Sequence, residues 1–153
     1  MRRVSEALYL TAITLWVGGM WAIGYLAAPV LFASLGDRQL AGIVAGKLFA
    51  LIGWIGLGAA AYLLAFLFGR WGGQALRRSV FWLVLLMAAL VAASQFGIQP
   101  LMAQLKADAW PRDVMESVVR DRFAAWHGIS SILYLVQSLL GLWLVVWSGR
   151  GLR

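Results

Sequence analysis

Four stretches of the chain are apolar and almost free of charge: Ala7 to about Leu31, Leu48 to Phe68, Val80 to about Leu101, and Phe123 to Trp147. Each is long enough as a helix to cross the ~30 Å of hydrocarbon in a bilayer. The pattern predicts an all-α polytopic membrane protein, a single domain over residues 1–153 whose four spans form an up-and-down bundle. Polar residues between the spans carry boundary signals. Asp37, after Gly36, can cap a second helix that begins well before its apolar part, and Ser79 can cap the third. Pro111 suits the first turn of a fourth helix. Run from Arg112 to Trp147, that helix would be about 54 Å long, so helices two to four are expected to extend beyond the outer membrane surface. Gly72-Gly73 is turn chemistry. Pro29-Val30-Leu31 ends the first span and Pro100-Leu101-Met102 the third, the faint echo that two hairpins related by an axis along the membrane normal would produce.

Composition sharpens the picture. Residues of the apolar set make up 63% of the chain and charged ones 12%, with a mean hydropathy of +0.83. An ordinary soluble domain carries about 25% charge, so a soluble enzyme, a nucleic-acid-binding domain and a disordered chain are excluded. The net charge of +7 reads as membrane topology rather than as a nucleic-acid footprint. Seven basic residues lie in the segment after Arg2 and Arg3, in the Arg70 to Arg78 loop and in the tail with Arg150 and Arg153. The opposite side holds six, Arg38, Lys47, Lys106, Arg112, Arg120 and Arg122, mixed with Asp37, Asp108, Asp113, Glu116 and Asp121. The first group crowds into short segments beside the spans, so both termini are expected on the cytoplasmic side. The first apolar stretch runs well past the roughly 7–15 residues of a signal h-region and reads as a retained span. Trp71, Trp82, Trp110 and Trp147 fall near span ends, where indoles favour the interface. Cysteine is absent, which removes disulfides, thiolate metal sites and cysteine nucleophiles.

The helix faces carry the candidate chemistry. Gly42, Gly46, Phe49, Gly53, Gly56 and Ala60 recur at spacings of three and four on the second helix and share one face. Gly42 and Gly46 form a small-xxx-small pair that favours helix packing in lipid. The same face could serve packing within one chain, a homo-oligomer contact, or close approach to a ligand. On the fourth helix His127, Ser131, Tyr134, Ser138 and Gly141 form a continuous stripe, and the third offers Gln95 and Gln99 with Ser94 beside them. Residues late in odd spans and early in even ones lie at similar depth. Tyr25, Lys47, Gln95, Gln99, Arg122, His127 and Ser131 are therefore expected together in the outer third of the membrane.

One reading makes this cluster a pocket open to the outer side, with His127 as proton acceptor or metal ligand and Lys47 or Arg122 attracting an anionic headgroup. The plainer reading has His127 and the glutamines bonding one another to fix helix register while Lys47 and Arg122 snorkel to the interface. A lone histidine does not furnish the several ligands that zinc or copper prefer. Carboxylate pairs, phosphate loops and Ser-His-Asp sets are absent, so the residues argue for binding of a lipid, small ligand or partner rather than for catalysis, and require no cofactor. The segment 106–122 looks like an amphipathic helix extension that a partner protein could read.

Trp16-Val17-Gly18-Gly19-Met20-Trp21, the Ala28-Pro29-Val30-Leu31-Phe32 end of the first span, the run from Ala41 to Phe49 and the run from Arg122 to Ser131 resemble the bacterial branch of the transmembrane protein 205-like family. That resemblance covers almost the whole chain and implies a four-span protein of the bacterial inner membrane. The Trp-x-Gly-Gly segment and the proline after it are more distantly similar to the copper-resistance D and HemJ-type protoporphyrinogen oxidase families, which implies a haem- or metal-binding redox protein as an alternative. In the HemJ-like pattern a histidine stands where this chain has Tyr9. With His127 the single histidine, bis-histidine haem would need two subunits or another second ligand. A small transporter would likewise need an oligomer, because four spans hold no buried acid. On the pocket reading, His127→Ala removes a ligand retained in native mass spectrometry and leaves folding intact; unchanged retention would take His127 out of the site.

Overall fold

The structure, a computed structural model, describes residues 2–109, 115 and 117–152; of residues 2 and 149–152 only the backbone is described. Its four long helices are each apolar and long enough to cross a membrane. Helix α1 covers residues 2–34, α2 Arg38–Trp71, α3 Ser79–Ala109 and α4 Arg120–Leu152. Each packs against its neighbours in sequence, and α4 closes back on α1. The described residues thus form the all-α, four-span bundle expected.

The helix ends follow local chemistry. Asp37 caps α2 as expected, its carboxylate accepting from the backbone N–H of Gln39 at 2.8 Å and of Leu40 at 3.1 Å. Ser79 does not cap α3: the extended residue before the helix is Arg78, whose side chain makes no capping bond, and Ser79 is already helical. Gly72 ends α2 at a φ of 53°, a left-handed conformation that glycine takes without Cβ strain. The fourth helix starts at Arg120 rather than Arg112. Ser117 to Val119 form a turn in which Ser117 O accepts from Arg120 N, and this replaces the continuous extension expected from Arg112. Trp110, Pro111, Arg112, Asp113, Val114 and Glu116 lie outside the described residues. At 33 residues, α4 is about 50 Å long.

Three segments widen to π geometry: Thr14–Gly18 and Ile23–Ala27 in α1, and Ser94–Ile98 in α3. Two of them end two residues before a proline, Pro29 and Pro100. A proline donates no N–H and its ring collides with the carbonyl four residues back, so the preceding turn must open. The sequence echo thus has a local cause in both odd helices.

The bundle differs sharply between its two halves. In the terminal half, near the chain ends and the α2–α3 connection, Tyr9, Ile13, Leu63, Leu67, Val84, Met87 and Leu144 form a buried core. Arg70 closes that end on Glu6 at 2.9 Å, and the Arg78 guanidinium stacks over Trp71 at 3.4 Å. Outward-facing Leu15, Leu51, Phe96, Ile132 and Val146 remain exposed, as a lipid-facing surface requires. Trp16, 1% exposed, is the largest buried side chain and tops the core. Its indole lies on α2 where Gly56 offers no side chain; a Cβ there would stand 2.5 Å from Trp16 Nε1. Gly56→Ala is therefore expected to cost about 1–3 kcal/mol by overpacking. Gly58→Ala, where a Cβ meets nothing within 4 Å, should leave stability unchanged or raise it. Reversible unfolding in detergent compares the two, and equal effects would remove Trp16 from this role.

Candidate functional site

Above Trp16 the distal half, which holds the α1–α2 and α3–α4 connections, does not close. It surrounds a cavity of about 1350 Å³ lined by all four helices, larger than the roughly 300–1,000 Å³ of most small-molecule pockets. Its floor is Trp16, Ile52, Gly53, Val91, Gln95 and Gln137; Met20, Phe49, Ile98 and Met102 line the walls. Two bonds tie α1 to α4 at mid-depth. The Tyr134 hydroxyl donates to Met20 O, and Trp21 Nε1 donates to Ser138 O at 3.3 Å. The Tyr134 ring fills the space beside Gly24, where a Cβ would collide with it, and meets Phe49 edge-on at 5.1 Å. Distal to these ties α1 and α4 part. Tyr25, Pro29 and Phe32 on α1 and His127, Ser131 and Leu135 on α4 all line the cavity while remaining exposed. The cavity is therefore open along the side between α1 and α4 and also at its distal end, where Arg38, Ala107 and Met115 line it and are exposed.

Most of the expected cluster converges here. Tyr25, Gln95, Gln99, His127 and Ser131 all line the cavity, and so does Tyr134 of the α4 stripe. Their contacts differ from the register-fixing network. Gln95 Nε2 donates to Ala50 O at 3.2 Å, its side chain occupying the gap left by Gly53, and Ser131 Oγ donates to His127 O at 2.8 Å. The His127 ring stacks parallel on Phe123, 5.8 Å between centroids, and its nitrogens meet no hydrogen-bond partner among the described residues. Lys47 and Arg122 are exposed and do not line the cavity. Each stands one residue off a cavity-facing neighbour, Gly46 and Phe123, and one residue of helix turns a side chain by about 100°.

The Gly-rich face of α2 turns inward. Gly42 and Gly46 lie beside the Lys106 ammonium, Gly53 beneath Gln95 and Gly56 beneath Trp16. Long side chains, rather than a second helix backbone, occupy the space these glycines leave. These contacts use the face inside the protomer.

Lys106, expected at the start of the amphipathic segment 106–122, is a cavity residue: α3 continues to Ala109, and Lys106 Nζ donates to Gly42 O at 2.9 Å. Its sequence signal was the shared face with Gln95 and Gln99, at spacings of four and seven. Gln137, 6% exposed, faces the floor, and its carboxamide has no hydrogen-bond partner among the described residues. Its spacing of three from Tyr134 was the available cue. Tyr9, which holds the position of the HemJ-like histidine, is buried in the terminal half against Phe66, 4.8 Å between ring centroids. His127 lies in the opposite half, so the two cannot hold one haem. Among the described residues no three His, Cys, Asp or Glu side chains cluster as a metal site would require.

A family model described as a domain of unknown function, DUF4149, matches residues 11–111. That range holds the cavity-lining parts of α1, α2 and α3, while His127, Ser131, Tyr134 and Gln137 on α4 lie beyond it. No curated protein and no solved structure matches the chain. The match spans well over half of the 153 residues, and this multi-pass membrane protein belongs to the DUF4149 family.

Proposed function

We propose that this protein is a non-enzymatic binding protein of the bacterial inner membrane that holds an amphiphilic small molecule in its distal cavity, taken up sideways from the bilayer. The lateral opening between α1 and α4 is the observation that carries this reading. In a membrane that opening faces acyl chains, and a molecule already dissolved in the bilayer reaches the cavity without crossing water. Gln137 supports it: it lines the cavity, its carboxamide has no hydrogen-bond partner among the described residues, and an occupant or its accompanying water offers one. Close packing beneath Trp16 favours a binding site over a path through the protomer.

Ser131 is exposed on α4 and lines the opening, so bulk added there blocks the cavity without entering the core. Ser131→Trp is expected to lose a discrete adduct that the wild-type protein retains in native mass spectrometry from mild detergent, with helix content unchanged. A wild-type spectrum free of any adduct after gentle extraction, or the same adduct on the variant, would overturn the reading.

The orientation we propose puts both termini in the cytoplasm and the cavity in the outer leaflet. Because the chain lacks cysteine, single cysteines report sidedness cleanly. Gly36→Cys should react with an impermeant maleimide on intact cells and Gln74→Cys only after lysis; the reverse pattern would invert the orientation.

A further inference from the structure

Among the described residues the charges lining the cavity are all of one sign. Arg38 and Lys106 line it, and no Asp or Glu does among the described residues. The nearest carboxylate in sequence to Arg38, that of Asp37, is engaged by the N–H groups of Gln39 and Leu40. Lys106 is half-buried, and its partner is a neutral carbonyl, Gly42 O. An ammonium has three donors, so one bond to Gly42 leaves capacity toward the cavity. A partly desolvated cation held only by a dipole is under-compensated, and an anion is the group that completes it. Gly46 and Gly42 lie directly beside the ammonium: a Cβ on Gly46 would stand 3.5 Å from Lys106 Nζ and one on Gly42 4.0 Å, ordinary contact distances.

Depth gives the rest of the chemistry. Gly42 lies six residues before the apolar part of α2 begins at Leu48, about 9 Å along the helix axis. Lys106 lies beyond the apolar end of α3 at Leu101. The Lys106–Gly42 contact therefore sits at headgroup level. From Gly42 to Gly53 at the floor is 11 residues, about 16 Å, so the cavity runs from headgroup level into the outer part of the hydrocarbon. Met20, Phe49, Ile52, Ile98 and Met102 line that length.

Resting on the binding reading above, we infer that the occupant is an acidic amphiphile: its phosphate or carboxylate pairs with Lys106 and Arg38, and its hydrocarbon chain fills the cavity toward Trp16. The opening between α1 and α4 lets the chain pass sideways while the acid group stays at the surface.

The test uses the full-length protein, stripped of lipid and offered phosphatidylglycerol, phosphatidylcholine of identical chains, a long-chain fatty acid, or inorganic phosphate, with bound mass read by native mass spectrometry. The wild type should retain phosphatidylglycerol or the fatty acid about tenfold over phosphatidylcholine, the size of one charge-assisted contact. Lys106→Gln should bring that preference to within about twofold, and Lys106→Arg should keep it. Arg38 is exposed, so Arg38→Gln should weaken the preference without any folding penalty. Equal retention of all lipids by the wild type, with Ser131→Trp still abolishing it, would overturn the acidic headgroup and leave the binding site standing. No retention of any lipid would overturn both. Displacement of phosphatidylglycerol by inorganic phosphate alone would show a free-anion site and overturn the amphiphile.

Discussion

The indole of Trp16 resting on Gly56 sets the level at which this bundle changes from packed to open. In hydrocarbon, backbone groups must be satisfied within each helix, so side-chain size alone decides how closely helices meet. Terminal to Gly56, the inward face of α2 carries Ala60, Leu63 and Leu67, and its neighbours answer with Tyr9, Val84, Met87 and Leu144. Distal to it the same face carries Gly53, Gly46 and Gly42, and the groups nearest them are Gln95, Lys106 and the edge of Phe32. A slender polar side chain fills less volume than a leucine or phenylalanine and brings its hydrogen-bonding demand with it. The cavity is what remains. Close packing is the ordinary state of protein interiors and unfilled volume lowers stability, so an open distal half is explained most simply as space that the bilayer or an occupant fills.

The two ends of the bundle also treat charge differently. At the terminal end Arg70 meets Glu6 and Arg78 lies over Trp71, which anchors these cations against α1 and the α2–α3 connection. At the distal end Arg38 and Lys106 face the cavity, and the carboxylate beside them is turned to the N-terminus of α2. The net charge of +7 is therefore not a uniform coat. One part secures the closed end, and another gives the open end a preference of sign.

The four spans were legible because hydropathy over some twenty residues is a sum, and single misplaced residues do not alter it. The cap at Asp37 was legible because its carboxylate acts on its own helix; Ser79 misled because the adjacent Arg78 already adopts the extended cap geometry. Depth in the bundle was also readable, and so Tyr25, Gln95, Gln99, His127, Ser131 and Tyr134 do converge. Rotation about each helix axis was not. Lys47 and Arg122 share the right depth yet face away, since one position along a helix changes the face. Lys106 was hidden because the segment 106–122 reads as an amphipathic unit, which separates it from the face it shares with Gln95 and Gln99. Ala109 lies eight positions beyond Leu101, about 12 Å of extra helix, and that extension brings the ammonium back over α2.

The π segments explain why strict helical spacing is least dependable around this cavity. Trp16, Gly24 and Tyr25, and Gln95 all sit in widened turns, and all line the cavity. Each widened turn advances the chain by an extra residue and rotates the helix beyond it relative to the helix before it, so a stripe drawn through it at spacings of three and four loses register. Pro29 and Pro100 make two of these turns necessary, while α2 and α4 run without them as continuous α-helices of 34 and 33 residues. The odd helices thus carry the widened turns and the even helices run uninterrupted through the same depth. Between α1 and α4 the cavity opens, and the bonds of Tyr134 and Trp21 at mid-depth hold the two helices together above the packed half. The widened turns therefore do two things at once: they offset the faces of α1 and α3 from strict helical spacing, and they place Trp16, Tyr25 and Gln95 on the cavity.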